Sequence, residues 1–140
     1  MKTSVVSAVS TLLVGILFCP MVIAAPSMPS DLQMVLPDPS LPKELSAFFG
    51  KWEGTGRMAY FLIVEKIDAE KANLCIWESS YEGAPGWTRY EPQVIKEGKK
   101  YKLWYPGRYG SCELTLKGET LNWSRRSPLG SEDVRLSRVP

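Results

Sequence analysis

LSAFFGKWEG, Leu45 to Gly54, decides how this chain is read. Pro42 and Glu44 open it and Leu45, Phe48 and Phe49 fall on one face, which predicts one or two helical turns; Gly50 stops them. A helix so short persists only by packing on something else. From Gly50 onward the apolar period changes from helical to two, so what the turn packs on is a set of strands. Trp52, set between Gly50 and Gly54, is then expected to lie across the end of those strands as a plug, burying on the order of 200 Å². The two glycines let the chain turn sharply and relieve crowding where the first strand bends.

Working outward, turn chemistry recurs every eight to twelve residues after Gly50, as a β-meander requires. The predicted strands are Trp52 to Met58, Tyr60 to Ile67, Ala72 to Tyr81, Trp87 to Lys96, Lys100 to Tyr105, Gly110 to Lys117, Glu119 to Arg126 and Asp133 to Val139. Links such as Glu97-Gly98, Pro106-Gly107 and Lys117-Gly118 are too short for parallel crossovers and join antiparallel neighbours. Eight short strands leave edges exposed unless the sheet closes. The expectation is therefore an all-β, eight-stranded antiparallel up-and-down barrel preceded by a short N-terminal helical turn, with a two-sheet β-sandwich as the alternative. Alternation supports an inner face of Tyr101, Leu103, Tyr105, Leu114, Leu116, Leu121 and Trp123, with Lys102, Trp104, Glu113, Asn122 and Ser124 outside.

Three segments organise the chain. Residues 1–24 carry Lys2, an apolar run from Leu12 to Ile23 and then Ala24-Ala25, the order of a secretory signal peptide cleaved after Ala24. Residues 25–42 hold five prolines and no sustained period, which reads as an extended tether. Residues 43–140 form the barrel domain. Removing the signal removes Lys2 and leaves 16 basic against 15 acidic residues, a balance with no long-range field for nucleic acid or anionic membrane. The product is expected in the periplasm or secreted, with no membrane anchor after cleavage.

Cys75 and Cys112 remain in a compartment where disulfides persist, so pairing is the default expectation. Strand phase opposes it. If Leu74 and Ile76 face inward, Cys75 faces outward, whereas Cys112 is in phase with Leu114 and Leu116.

The residues give little sign of catalysis. The chain has no histidine, which removes the usual general base, the commonest metal ligand and the histidine ligand of haem. No serine nucleophile motif occurs, and the two cysteines lack the close spacing of a zinc site. No enzyme activity, cofactor or metal is expected. Carboxylates such as Glu53, Glu65, Glu78, Glu82 and Glu91 keep one route open, since two that converge can suffice for glycoside hydrolysis.

A helical turn followed by Gly50-Lys51-Trp52 and a strand meander resembles the lipocalin and wider calycin superfamily. Leu45 to Gly54, Phe61 to Ile67, Gly86-Trp87-Thr88-Arg89 and Arg135-Leu136-Ser137-Arg138 resemble more closely the small secreted bacterial calycin-like domains, over about Leu41 to Val139. The resemblance implies an arginine from the last strand packed over the signature tryptophan. Arg138 is the candidate, with Arg135 the alternative; Gly50, Trp52 and Arg138 form the structural signature. Strands of six to ten residues and no C-terminal helix imply a small or filled interior.

Aromatic residues carry the remaining functional signal. Tyr101, Tyr105 and Trp123 point inward and, with Arg125 at the mouth, are candidates to bind a small, largely apolar ligand. Trp104 lies outside beside Lys102 and is the candidate for surface interaction. Two readings follow: a ligand-binding protein, or a solid barrel that engages a protein partner, such as an inhibitor or envelope accessory domain. An interior void of about 300 Å³ or more separates them.

Overall fold

The computed structural model describes residues 25–55, 59–78 and 85–140; the signal segment lies outside these residues. Helix α1 (Lys43–Ser46) is followed by β1 (Gly50–Thr55), β2 (Ala59–Ile67), β3 (Ala72–Glu78), β4 (Gly86–Tyr90) and β5 (Gln93–Glu97). Then come β6 (Lys100–Gly107), β7 (Gly110–Lys117), β8 (Thr120–Ser127) and β9 (Gly130–Val139). They form one antiparallel sheet in the order β4-β3-β2-β1-β9-β8-β7-β6-β5. A single curled, barrel-like sheet replaces the two layers a sandwich would need.

Nine strands stand where eight are predicted, and Pro92 accounts for the difference. The predicted strand Trp87 to Lys96 divides at Glu91-Pro92: β4 pairs with β3, and β5 pairs with β6. Proline cannot donate to a ladder, so a run containing it breaks or changes partner there. The two halves are the two edges of the sheet. They are brought together below the break, where Gln93 bridges Lys71, Ala72 N–H donates to Pro92 O (2.9 Å) and Val94 N–H donates to Glu70 O (2.7 Å).

The core follows the predicted alternation. Leu62 and Val64, Leu74 and Ile76, Leu103 and Tyr105, Cys112 and Leu114, Leu121 and Trp123, and Val134 and Leu136 face one another in a single buried cluster. Leu45, Phe48 and Trp52 close one end, each only 1% exposed. At roughly 1.5–3 kcal/mol for each large apolar side chain fully buried, this closed end is a substantial share of a small domain's stability.

Residues 25–36 run along the outer face of β2 to β4. Val35 N–H donates to Glu65 O (2.8 Å), and Trp87 Nε1–H donates to Ser27 O (2.9 Å). Ile63 and Cys75 occupy paired positions on that face, outside the core cluster, and both are buried.

Cys75 and Cys112 are free thiols. Outward phase for Cys75 and inward phase for Cys112 put them on opposite faces, and in the sheet β2, β1, β9 and β8 stand between their strands. The expected disulfide is not formed.

Candidate functional site

At the closed end, Gly50 has φ of +122° and stands so near Arg138 that a Cβ there would meet Arg138 Nη1 at 2.6 Å. The positive φ favours glycine there, and the missing Cβ leaves room for the guanidinium. Arg138 reaches through that space: Nη1 donates to Phe49 O and Nη2 to Ala47 O, each at 2.6 Å, while Cζ sits 4.3 Å from the Trp52 ring centroid. Trp52 Nε1–H donates to Phe48 O at 3.0 Å. The register pairs Trp52 directly with Arg138 across β1 and β9. Arg135 is opposite Asn122 on the other face of β9 and takes no part.

Toward the opposite end, Tyr105 and Trp123 come together but do not line an open pocket. Trp123 Nε1–H donates to Tyr105 Oη at 2.8 Å. Tyr60 packs edge-on against Trp123 with ring centroids 5.4 Å apart, and Tyr90 lies 4.7 Å from Tyr105. The Cys112 thiol neighbours Tyr105 across the β6–β7 pair. Arg125 lies over the Trp123 ring and pairs with Glu132, which also accepts from Tyr60 Oη. Every buried side-chain polar atom among the described residues has a hydrogen-bond partner.

Burial governs the ionisation of this cluster. It pushes the Tyr90 phenol up to about 12, helped by the Glu78 carboxylate, to which Tyr90 Oη donates. It drives Tyr105 far above the ordinary phenol range and raises the Cys112 thiol. A thiol held protonated is a poor nucleophile.

Tyr101 is not part of this group. It sits further along β6, packed against the core with Lys96 over its ring. Trp104 is half-buried on the outer face, opposite Gln93 and Glu113. Two residues outside the sequence candidates complete the group: Tyr60, which opens a predicted strand, and Glu132, which precedes the last one. Inward phase on β2, from Leu62 and Val64 back to Tyr60, was the available signal.

The third polar centre lies outside the barrel. Glu65, at a register shift in β2, is the one buried charged residue among those described. Arg89 bonds it through Nε (3.3 Å) and Nη2 (3.1 Å) and also grips Asp31, with Nη1 at 2.6 Å and Nη2 at 3.1 Å. Gln33 N–H donates to Glu65 Oε1 at 3.2 Å. Hydrogen bonding from Arg89 holds Asp31 below the usual carboxylate range, and burial raises Cys75. A depression of about 160 Å³ opens beside Glu65 and Arg89, lined also by Asn73, Leu74, Tyr90 and Glu91. A larger one of about 370 Å³ lies by Glu119, Thr120, Ser137 and Arg138. Neither is lined by Tyr105 or Trp123. No group of three or more acidic or cysteine side chains among the described residues is placed to hold a metal ion.

Comparison with protein-family models, with curated proteins and with solved structures returned no match.

Proposed function

We propose that this protein is an exported, calycin-like interaction module whose barrel is a filled scaffold. The observation that carries the reading is the packing of Tyr60, Tyr105 and Trp123 on one another across the interior. These are the side chains a ligand-binding barrel would turn toward its ligand. Here the polar atoms of Tyr60 and Trp123 are used by Glu132 and Tyr105, and a buried polar network already satisfied has little to gain from a guest. Export is supported by the signal-like residues 1–24, and the calycin likeness by Gly50, Trp52 and Arg138. A barrel without a working interior leaves its outer faces for recognition, where Trp77, Trp87 and Trp104 are half-buried.

Native mass spectrometry of the protein purified gently from its host's envelope or medium tests this. The expected result is a bare polypeptide beginning at Ala25. A reproducible extra mass of small-molecule size, released on denaturation, would overturn it and restore a barrel that binds a small, largely apolar ligand.

A further inference from the structure

The segment over β2 to β4 is held in the manner of a bound peptide. Its backbone is read at Ser27 O by Trp87, at Gln33 N by the Glu65 carboxylate and at Val35 N by Glu65 O, while Asp31 is read by the Arg89 fork. Four main-chain and side-chain anchors hold a stretch that is extended apart from a turn closed by Leu32 N–H on Pro29 O (3.2 Å), and its one acidic side chain, on that turn, is gripped in two places; together they form a peptide-recognition pattern.

Of its apolar side chains Pro26, Pro29 and Leu32 are half-buried and the rest contribute little. Met28 is 48% exposed, Met34 38%, Val35 46% and Leu36 81%. The Asp31–Arg89 pair is solvent-exposed on both sides, so it holds weakly. The strap is thus a poor occupant of a good groove. Beneath and beside it are outward-facing Ile63 and Cys75, the Trp77–Trp87 pair at 5.5 Å, and the side-chain-sized depression next to Arg89.

We infer that the outer face of β2 to β4, centred on Arg89 and Glu65, is a docking groove for an acidic peptide segment of another protein, and that residues 27–36 occupy it in cis until displaced. This names the surface and partner class of the interaction module proposed above and rests on that reading. A foreign segment is favoured over a second copy. An identical strap in trans gains nothing over one tethered in cis at an effective concentration on the order of mM. A segment with better-buried apolar side chains beside its acid outcompetes the strap.

The test uses the full mature chain and the double variant Asp31→Ala/Val35→Pro, which removes the Arg89 partner and the N–H given to Glu65 O. Both changes fall on exposed strap residues, and near-ultraviolet circular dichroism checks the barrel. The probe is a fluorescent synthetic peptide with the sequence of residues 26–36, and a second with asparagine in place of its aspartate. Saturable binding at least tenfold tighter to the double variant than to wild type, weakened at least fivefold by the asparagine, is expected. As an independent readout, bound peptide should slow thiol labelling at Cys75 but not at Cys112, assigned by peptide mapping. Absence of saturable binding to the folded double variant, or equal binding of both peptides, overturns the groove while leaving the filled-barrel reading untouched. A stable dimer of wild type by light scattering overturns the choice of a foreign partner. An extra small-molecule mass in the native spectrum instead removes the filled-barrel reading, so the two failures are distinct.

Discussion

Arg138 covers Trp52 and, with the same guanidinium, ties β9 to the last turn before β1 through Phe49 O and Ala47 O. The first and last parts of the domain thus meet in one side chain at the closed end. Trp52→Ala removes a fully buried indole and is expected to cost about 3–5 kcal/mol in urea unfolding; a loss below about 1 kcal/mol would remove the plug from the account. Arg138→Ala should cost about 1–2 kcal/mol, because the stacked cation is partly in water. Arg138→Lys should recover less than half of that, since an ammonium cannot fork to two carbonyls.

The interior tyrosines give a spectroscopic test of the filled barrel. With the phenols of Tyr90 and Tyr105 raised by burial, their protonated forms are favoured in the folded state. Their stabilising effect is complete below the ordinary phenol pKa of 10.0 and is lost as pH rises through the raised values. Absorbance titration at 295 nm should leave at least two of the six tyrosines un-ionised at pH 11 until unfolding releases them. Smooth titration of all six near pH 10 would mean that water reaches the interior.

Alkylation should find two unpaired thiols. The mature protein, denatured without reductant, is expected to take up two alkyl groups, one at Cys75 and one at Cys112. A mass two daltons light with no uptake would require β3 or β7 to be turned over relative to the sheet described here.

The meander was legible because its rule is simple. Alternation around Leu103, Leu114 and Leu121 is dictated by one buried face, and Gly98 and Gly118, both at positive φ, sit in turns the residue types announce. The break at Pro92 is marked in the sequence too, but the β-rich residues around it, Trp87 to Tyr90 and Val94 to Ile95, make the pattern that of one continuous strand. Asp31 and Arg89 were not legible as a pair. They meet only because residues 25–36 fold back over β4, and an extended segment with no hydrophobic period carries no local mark of what it will lie against. Trp123 and Tyr105 were placed on the correct face. That Trp123 donates to Tyr105 rather than to a guest depends on β6 and β8 flanking β7 in register, which periodicity cannot convey.

The strap over β4 should come loose in acid. Hydrogen bonding from Arg89 lowers the Asp31 pKa below its ordinary 3.8. A carboxylate depressed in the folded state contributes stability that is complete above the ordinary value and is lost as pH falls through the lowered one. Cys75, buried on the face the strap crosses, reports the change. Labelling with a disulfide reagent active in acid, with rates normalised to the unfolded chain at each pH, should be slow at Cys75 at pH 6 and faster at pH 3, by about a factor of two to three for so exposed a pair. Cys112, buried within the barrel, should remain slow at both. Asp31→Asn should label faster than wild type at Cys75 at pH 6 by a similar factor and lose the pH step. An unchanged normalised rate at Cys75 between pH 6 and pH 3 would show that the strap is held by its backbone bonds to Glu65 and Trp87, without help from the ion pair.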